Sequence, residues 1–150
     1  MVKRDHIQQS LRAALPVMLG YTAIGIPCGI LSASIGMNVV QVLLFSFLFY
    51  SGAGQFMVAN MWMAATPITS IIASVSLVNT RQMLYSASLA QFCQSTKKRL
   101  AFLFAATVTD ESYGVNMLKF ATGAWSVERA TAVNLFSQAS WTLPSFAVTH

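Results

Sequence analysis

Between positions 13 and 80 the chain has no Asp, Glu, Lys, Arg or His. A core helix of a soluble protein would show a polar face at the 3.6-residue period. A bilayer core of roughly 30 Å takes about 20 apolar residues per helix, so this run is long enough for about three crossings. Along the whole chain the pattern predicts five hydrophobic segments, at 13–35, 39–63, 68–92, 100–118 and 130–149, behind a short polar N-terminus. Turns are expected at 36–38, 64–67, 94–99 and 119–129. The predicted fold is all-α: a polytopic transmembrane helix bundle forming one domain over 1–150, with one or more broken or re-entrant helices. A basic N-terminus before an apolar stretch also suits a signal peptide. Segment 13–35, however, exceeds the roughly 7–15 residues of a signal core and reads as a retained first span.

Composition supports this reading. The chain is 55% hydrophobic and 9% charged, against about a quarter charged in soluble domains. Of the nine basic residues behind the net charge of +5, Lys3, Arg4 and Arg12 form one cluster and Lys97, Lys98 and Arg99 another. Both flank hydrophobic segments, as topology signals do. Nucleic-acid binding would need a basic face with aromatic or polar readers, and no nucleic-acid partner is expected. With the N-terminus inside, five straight crossings would put Lys3, Arg4, Arg12, Lys119 and Arg129 inside and Lys97, Lys98 and Arg99 outside, a weak bias. A re-entrant hairpin in place of one crossing would return the third loop to the inside and remove the conflict. Cys28 and Cys93 fit neither a disulfide framework nor a metal spacing and read as packed or loop thiols.

Gly25 and Gly29, with Ala33 a turn further on, place small residues four apart in the first segment, which suits close helix packing more than a dedicated dimer motif. Pro16 and Pro27 are expected to kink it. Three polar places carry more chemistry. Ser51-Gly52-Ala53-Gly54-Gln55 lies in the middle of the second segment. Two glycines beside a glutamine loosen a helix at mid-depth, where unwound backbone can serve a ligand; the alternative is a close crossing at Gly52, with Gln55 bonded to a neighbouring helix. Asn79-Thr80-Arg81-Gln82 splits the third segment. An arginine at a helix centre costs on the order of 2.5–3.5 kcal/mol on insertion scales, so Arg81 calls for a partner or a wet cavity. Asp110-Glu111, preceded by Thr107 and Thr109, lies within the fourth segment. Intramembrane carboxylates serve proton relays, ion binding or substrate amino groups; the structural alternative is that one of them only neutralises Arg81. Gly52, Gly54, Gln55, Asn79, Arg81, Asp110 and Glu111 are therefore the candidate substrate or ion pathway.

Catalytic readings fare worse. Ser51 followed by Gly52 suggests a serine nucleophile, but the two histidines, His6 and His150, stand at the chain ends, so no Ser-His arrangement forms within the bilayer. No His/Cys/carboxylate spacing suits a metal, no glycine-rich phosphate loop appears, and no cofactor is expected. A channel is a weaker choice still, since no ring-forming repeat is visible.

The same three places carry a family resemblance. Ser51-Gly52-Ala53-Gly54-Gln55-Phe56, then the stretch from Leu77 through Asn79-Thr80-Arg81-Gln82 to Leu89, then Thr109-Asp110-Glu111-Ser112-Tyr113, resemble the AzlC family in order and spacing. The Gly20-Tyr21 to Gly25-Ile26-Pro27-Cys28-Gly29 region is similar to its first helix. The resemblance implies a secondary transporter subunit that exports leucine, valine, isoleucine or similar amino acids across the bacterial inner membrane, with a small hydrophobic AzlD-type partner and protons as a candidate coupling ion. Gln82 stands where the family often has histidine, so no proton-active imidazole is available there. Family members continue for several more hydrophobic segments beyond the region matching 141–149, which implies an incomplete AzlC-like domain. The competing expectation is a non-transporting membrane subunit, or a truncated remnant, that assembles with a partner helix bundle.

Overall fold

The computed structural model of the chain describes residues 2–123 and 125–149, with side chains from residue 5 onward. The side chains of Lys3 and Arg4, read above as topology signals, and His150 lie outside the described residues. Every regular element described is helical: α1 Val2–Ser34, α2 Val39–Leu48, α3 Gly52–Met63, α4 Ile68–Leu89 with a 3-10 turn over Ala90–Cys93, α5 Lys98–Ala106, α6 Asp110–Ala121 and α7 Val127–Ala147. The expected turns at 36–38 and 64–67 are present, and α6 runs to Ala121 before turning. Local chemistry explains the stops. α1 ends where Gly36 takes φ +88°, open to glycine without steric cost. Asn38 then opens α2 with a capping box, accepting from the Gln41 amide at 2.9 Å while its own amide donates to Gln41 Oε1 at 2.8 Å.

The chain divides into two compact units, the first Met1–Leu19 with Gln82–Ala139 and the second Gly20–Arg81 with Ser140–His150. The long helices α1, α4 and α7 contribute residues to both.

In the second unit, segment 39–63 is two half-length helices folded into a hairpin. Tyr50, just past α2, packs edge-on against Tyr21 at 6.2 Å, and Gln55 accepts a hydrogen bond from Cys28 Sγ at 3.2 Å. From Tyr50 to Gln55 the chain thus advances along α1 towards Ser34, the end from which α2 departed, so α3 runs back beside α2. The small residues of α1 meet α7 here. A Cβ on Gly25 would sit 2.9 Å from the Trp141 carbonyl oxygen, and one on Gly29 would overlap the Ser145 carbonyl oxygen. Ser145 Oγ donates to the Gly25 carbonyl at 3.0 Å. The small-residue spacing is therefore packing within the chain, and α1 runs unbroken through both Pro16 and Pro27.

In the first unit, segment 100–118 was expected as one span and is instead a second hairpin, with α5 ending at Ala106 and α6 starting at Asp110. The Phe104 and Phe120 rings lie 6.3 Å apart, whereas one straight helix would separate those positions by about 24 Å. Phe92 stacks on Phe120 at 4.3 Å, and Lys97 lines the same cleft as Trp125 and Glu128. Both ends of this hairpin therefore open at the same end of the unit. Leu89, Phe104, Val108, Phe120, Val127 and Ala130 form the unit's apolar core.

Beside this apolar core, many polar side chains are buried and many large apolar ones are exposed. Ser10, Ser46, Gln55, Asn116, Asn134 and Ser145 are at most 1% exposed, while Leu19, Leu48, Leu77, Phe102 and Leu118 are at least 70% exposed. Polar groups bonded inside and apolar groups outside suit a lipid surround. Among the described residues one helix, over Asp5–Ser34, is by length and composition long and apolar enough to cross a membrane.

Candidate functional site

Each hairpin turns through three non-helical residues, and these two breaks hold most of the polar positions singled out in the sequence. The α2–α3 break is Phe49, Tyr50 and Ser51. Ser51 is the α3 N-cap, its Oγ accepting from the Gly54 amide at 3.2 Å. The same Oγ donates to Asn79 Oδ1 at 2.5 Å, which ties α4 to the break. Gln55 is 1% exposed and uses both ends of its amide. Its Nε2 donates to the Phe49 carbonyl at 2.6 Å, and its Oε1 accepts from Cys28 Sγ at 3.2 Å and Trp141 Nε1 at 3.1 Å. The glycines have steric duties. A Cβ on Gly54 would lie 2.7 Å from the Phe49 ring and 2.8 Å from Ser51 Oγ, and one on Gly52 would lie 3.1 Å from the Trp141 ring.

The structure thus brings Gly52, Gly54, Gln55 and Asn79 together at one break, and it makes Gln55 a brace between helices instead of an open ligand group. Gly52 and Ala53 are the first two residues of α3, at the end of a helix dipole where an anion is favoured. Arg81 is two residues beyond Asn79 on α4 and closes the stretch of α4 that belongs to this unit.

The α5–α6 break is Thr107, Val108 and Thr109. Thr109 caps α6 in a capping box with Ser112: the Ser112 amide donates to Thr109 Oγ1 at 3.4 Å and the Thr109 amide to Ser112 Oγ at 2.9 Å. Asp110 and Glu111 therefore stand in the first turn of a half-length helix, not in the middle of a long one. One turn on, Tyr113 stacks on Tyr85 at 4.5 Å and shares a 3.1 Å hydrogen bond with Ser88. Asn134 of α7 is the brace here. Its Nδ2 donates to the Phe104 carbonyl at 3.2 Å and Thr107 Oγ1 at 3.3 Å, while its Oδ1 accepts from Asn116 Nδ2 at 2.9 Å.

Asn116, Asn134 and Trp141 were not singled out in the sequence, and Cys28, read as a packed thiol, proves to be a buried donor to Gln55. Asn134 and Trp141 are seven residues apart, which on a helix places them on one face. Helix α7 carries many polar residues, so nothing in the sequence set Asn134 apart from them. Among the described residues no group of three or more His, Cys, Asp or Glu is placed to hold a metal ion.

A family model described as AzlC protein matches residues 16–148. The branched-chain amino acid transport protein AzlC of Bacillus subtilis (strain 168) is 30% identical over 122 residues, covering 77% of this chain and 47% of that protein. An uncharacterized membrane protein of Helicobacter pylori (strain J99) is 28% identical over 128 residues, 85% of this chain and 56% of the relative. Inner membrane protein YgaZ of Escherichia coli (strain K12) is 24% identical over 136 residues, 89% of this chain and 56% of the relative. The chain spans about half the length of these curated relatives. No solved structure matches it. A match that runs from α1 into α7 and takes in both breaks makes the chain a member of the AzlC family.

Proposed function

We propose that the chain is part of a secondary transporter that exports branched-chain amino acids across the bacterial inner membrane, together with a small AzlD-type subunit. The observation that carries this reading is the pair of half-length helices broken at polar, capped turns inside an apolar exterior, in a chain of this family. Broken helices supply backbone dipoles and polar groups to a solute where a continuous helix has none to spare. In this reading α1, α4 and α7 cross the bilayer and the two hairpins are re-entrant. The end of the first unit that carries Arg12, Lys97, Lys119 and Arg129 faces the cytoplasm, which brings the third loop to the side the positive-inside rule favours.

In the second unit, the Gly52 and Ala53 amides and the Arg81 guanidinium form the substrate-carboxylate side of the pathway. Ser51, Gln55, Asn79 and Trp141 hold that backbone in place. In the first unit, Asp110 or Glu111 carries a coupling proton. Exposed branched aliphatic chemistry is not needed for either step, so the choice of leucine, isoleucine or valine rests on the relative from Bacillus subtilis.

The test is loss of labelled leucine, isoleucine and valine from preloaded cells making the chain with its AzlD-type subunit, compared with either alone. Faster loss from the pair, slowed by Asp110→Asn or Arg81→Gln at unchanged protein level, is the expected result. Equal rates in all strains would overturn the reading and leave a non-transporting membrane subunit in its place.

A further inference from the structure

Around Trp125 the first unit gathers basic side chains that take no part in the proposed solute pathway. A cleft of about 470 Å³ is lined by Gln9 and Arg12 of α1, Lys119 and Thr122 at the end of α6, and Trp125 and Arg129 at the entry to α7. Lys119 Nζ lies 5.7 Å and Arg129 Cζ 5.8 Å from the centre of the Trp125 ring. The ring is fixed from behind, its Nε1 donating to Asn116 Oδ1 at 3.3 Å. Among the described residues, no carboxylate lines this cleft. Glu128 lines the two adjoining clefts, one with Lys97 and one with His6.

Lys119 and Arg129 lie over one indole and Arg12 lines the same cleft, so an anion bound there would lower the repulsion among like charges. Two of the three are guanidinium forks, which match phosphate oxygens with paired hydrogen bonds, and the third is a point charge. A basic cleft between helices at the cytoplasmic end of a membrane protein is suited to an anionic headgroup. We infer that the Trp125 cleft binds a phosphate group, presented by an anionic phospholipid of the inner leaflet. The inference depends on the membrane orientation given above and not on what the protein transports.

The chain purified in neutral detergent is titrated with phosphatidylglycerol, phosphatidylcholine or inorganic phosphate, and bound lipid is counted by native mass spectrometry. A brominated phosphatidylglycerol tests the place, because its quenching of tryptophan fluorescence should fall in Trp125→Phe. Phosphatidylglycerol is expected to bind and phosphatidylcholine not to. Arg12→Gln and Lys119→Gln should each weaken binding by about fivefold, and the double change by about 25-fold. Arg12→Lys, which keeps the charge and loses the fork, should bind between the unaltered chain and Arg12→Gln, and Arg99→Gln, a basic residue outside the cleft, should leave affinity within about twofold. Circular dichroism identifies any variant that has lost its helices, and Arg12→Lys against Arg12→Gln remains a comparison at full fold. Equal binding of the two lipids, or equal losses in Arg99→Gln and Arg12→Gln, would overturn the site. Displacement of the lipid by inorganic phosphate at comparable concentration would overturn the lipid as its source.

Discussion

The residues that leave the helix are Phe49, Tyr50 and Ser51 in one hairpin and Thr107, Val108 and Thr109 in the other. The helices before the breaks have 10 and 9 residues, and those after them have 12 each. In both, a hydroxyl at the third break residue caps the returning helix, and a side-chain amide satisfies a carbonyl that the break has exposed. The sources of the amide differ. In α2–α3 it comes from the hairpin itself, Gln55 reaching back to the Phe49 carbonyl, with Trp141 supporting Gln55. In α5–α6 it comes from outside the hairpin, Asn134 of α7 reaching the Phe104 carbonyl. The charge differs as well. The first turn of α3 is Gly-Ala-Gly, leaving its dipole uncompensated, whereas the first turn of α6 carries two acids. One architecture thus carries an uncharged helix start in one hairpin and an acidic one in the other.

The largest expected effect comes from removing the amide braces. Gln55→Leu and Asn134→Leu each delete three hydrogen bonds inside their unit. At about 0.6–1.5 kcal/mol per buried bond, each should destabilise the fold by about 2–4.5 kcal/mol. The comparison sharpens in the double variants. Trp141→Phe should cost little more once Gln55 is Leu, because the indole donor has already lost its acceptor, whereas Trp141→Phe and Asn134→Leu should add. Reversible unfolding in mixed detergents measures both. Losses below about 0.5 kcal/mol at either position would mean that the breaks hold without their braces.

How far the sequence announces these breaks depends on the residues that form them. Segment boundaries 39 and 63, and the turns at 36–38 and 64–67, are legible because Asn, Gly and Pro punctuate an uncharged run. The first break is legible for the same reason: Gly52 and Gly54 beside Gln55 weaken a helix visibly. The second is not, since Thr107-Val108-Thr109 contains neither glycine nor proline. Its signature is Thr109-Asp110-Glu111-Ser112, a cap followed by acids in the first turn, which marks a helix start even inside an apolar segment. That each segment folds back is hidden from hydropathy, because a hairpin and a crossing of equal length bury the same apolar residues. Only the charge count, awkward with Lys97, Lys98 and Arg99 placed outside, pointed to it. The braces Asn134 and Trp141 are invisible because they depend on tertiary neighbours. The role of Arg81, Asp110 and Glu111 is read from chemistry alone in both sequence and structure.

A smaller effect is expected at the caps. Ser51→Ala and Thr109→Ala should each lose about 1 kcal/mol of helix-start stability. The Ser51 change should cost more, because its hydroxyl also serves Asn79. Asn79→Ala in the Ser51→Ala background should then add less than it does alone. Equal and additive costs would show that the Ser51–Asn79 bond contributes nothing beyond the cap.

The smallest stability effect, and the clearest division between structure and transport, is expected at the two acids. As first-turn residues of α6, Asp110 and Glu111 interact with the helix dipole by about 0.3–1 kcal/mol each. Asp110→Asn and Glu111→Gln keep the side-chain size, so unfolding should shift only by that amount. If one acid carries a coupling proton, the matching amide should slow amino acid loss far more than its stability change explains, while the other behaves as a dipole partner alone. Adjacent helical positions point about 100° apart, so the two acids need not share a role. Should both amides leave flux unchanged while lowering stability by a few tenths of a kcal/mol, the acid pair is a helix start and nothing more. The contrast between the two hairpins would then be one of capping chemistry, with the coupling proton assigned elsewhere.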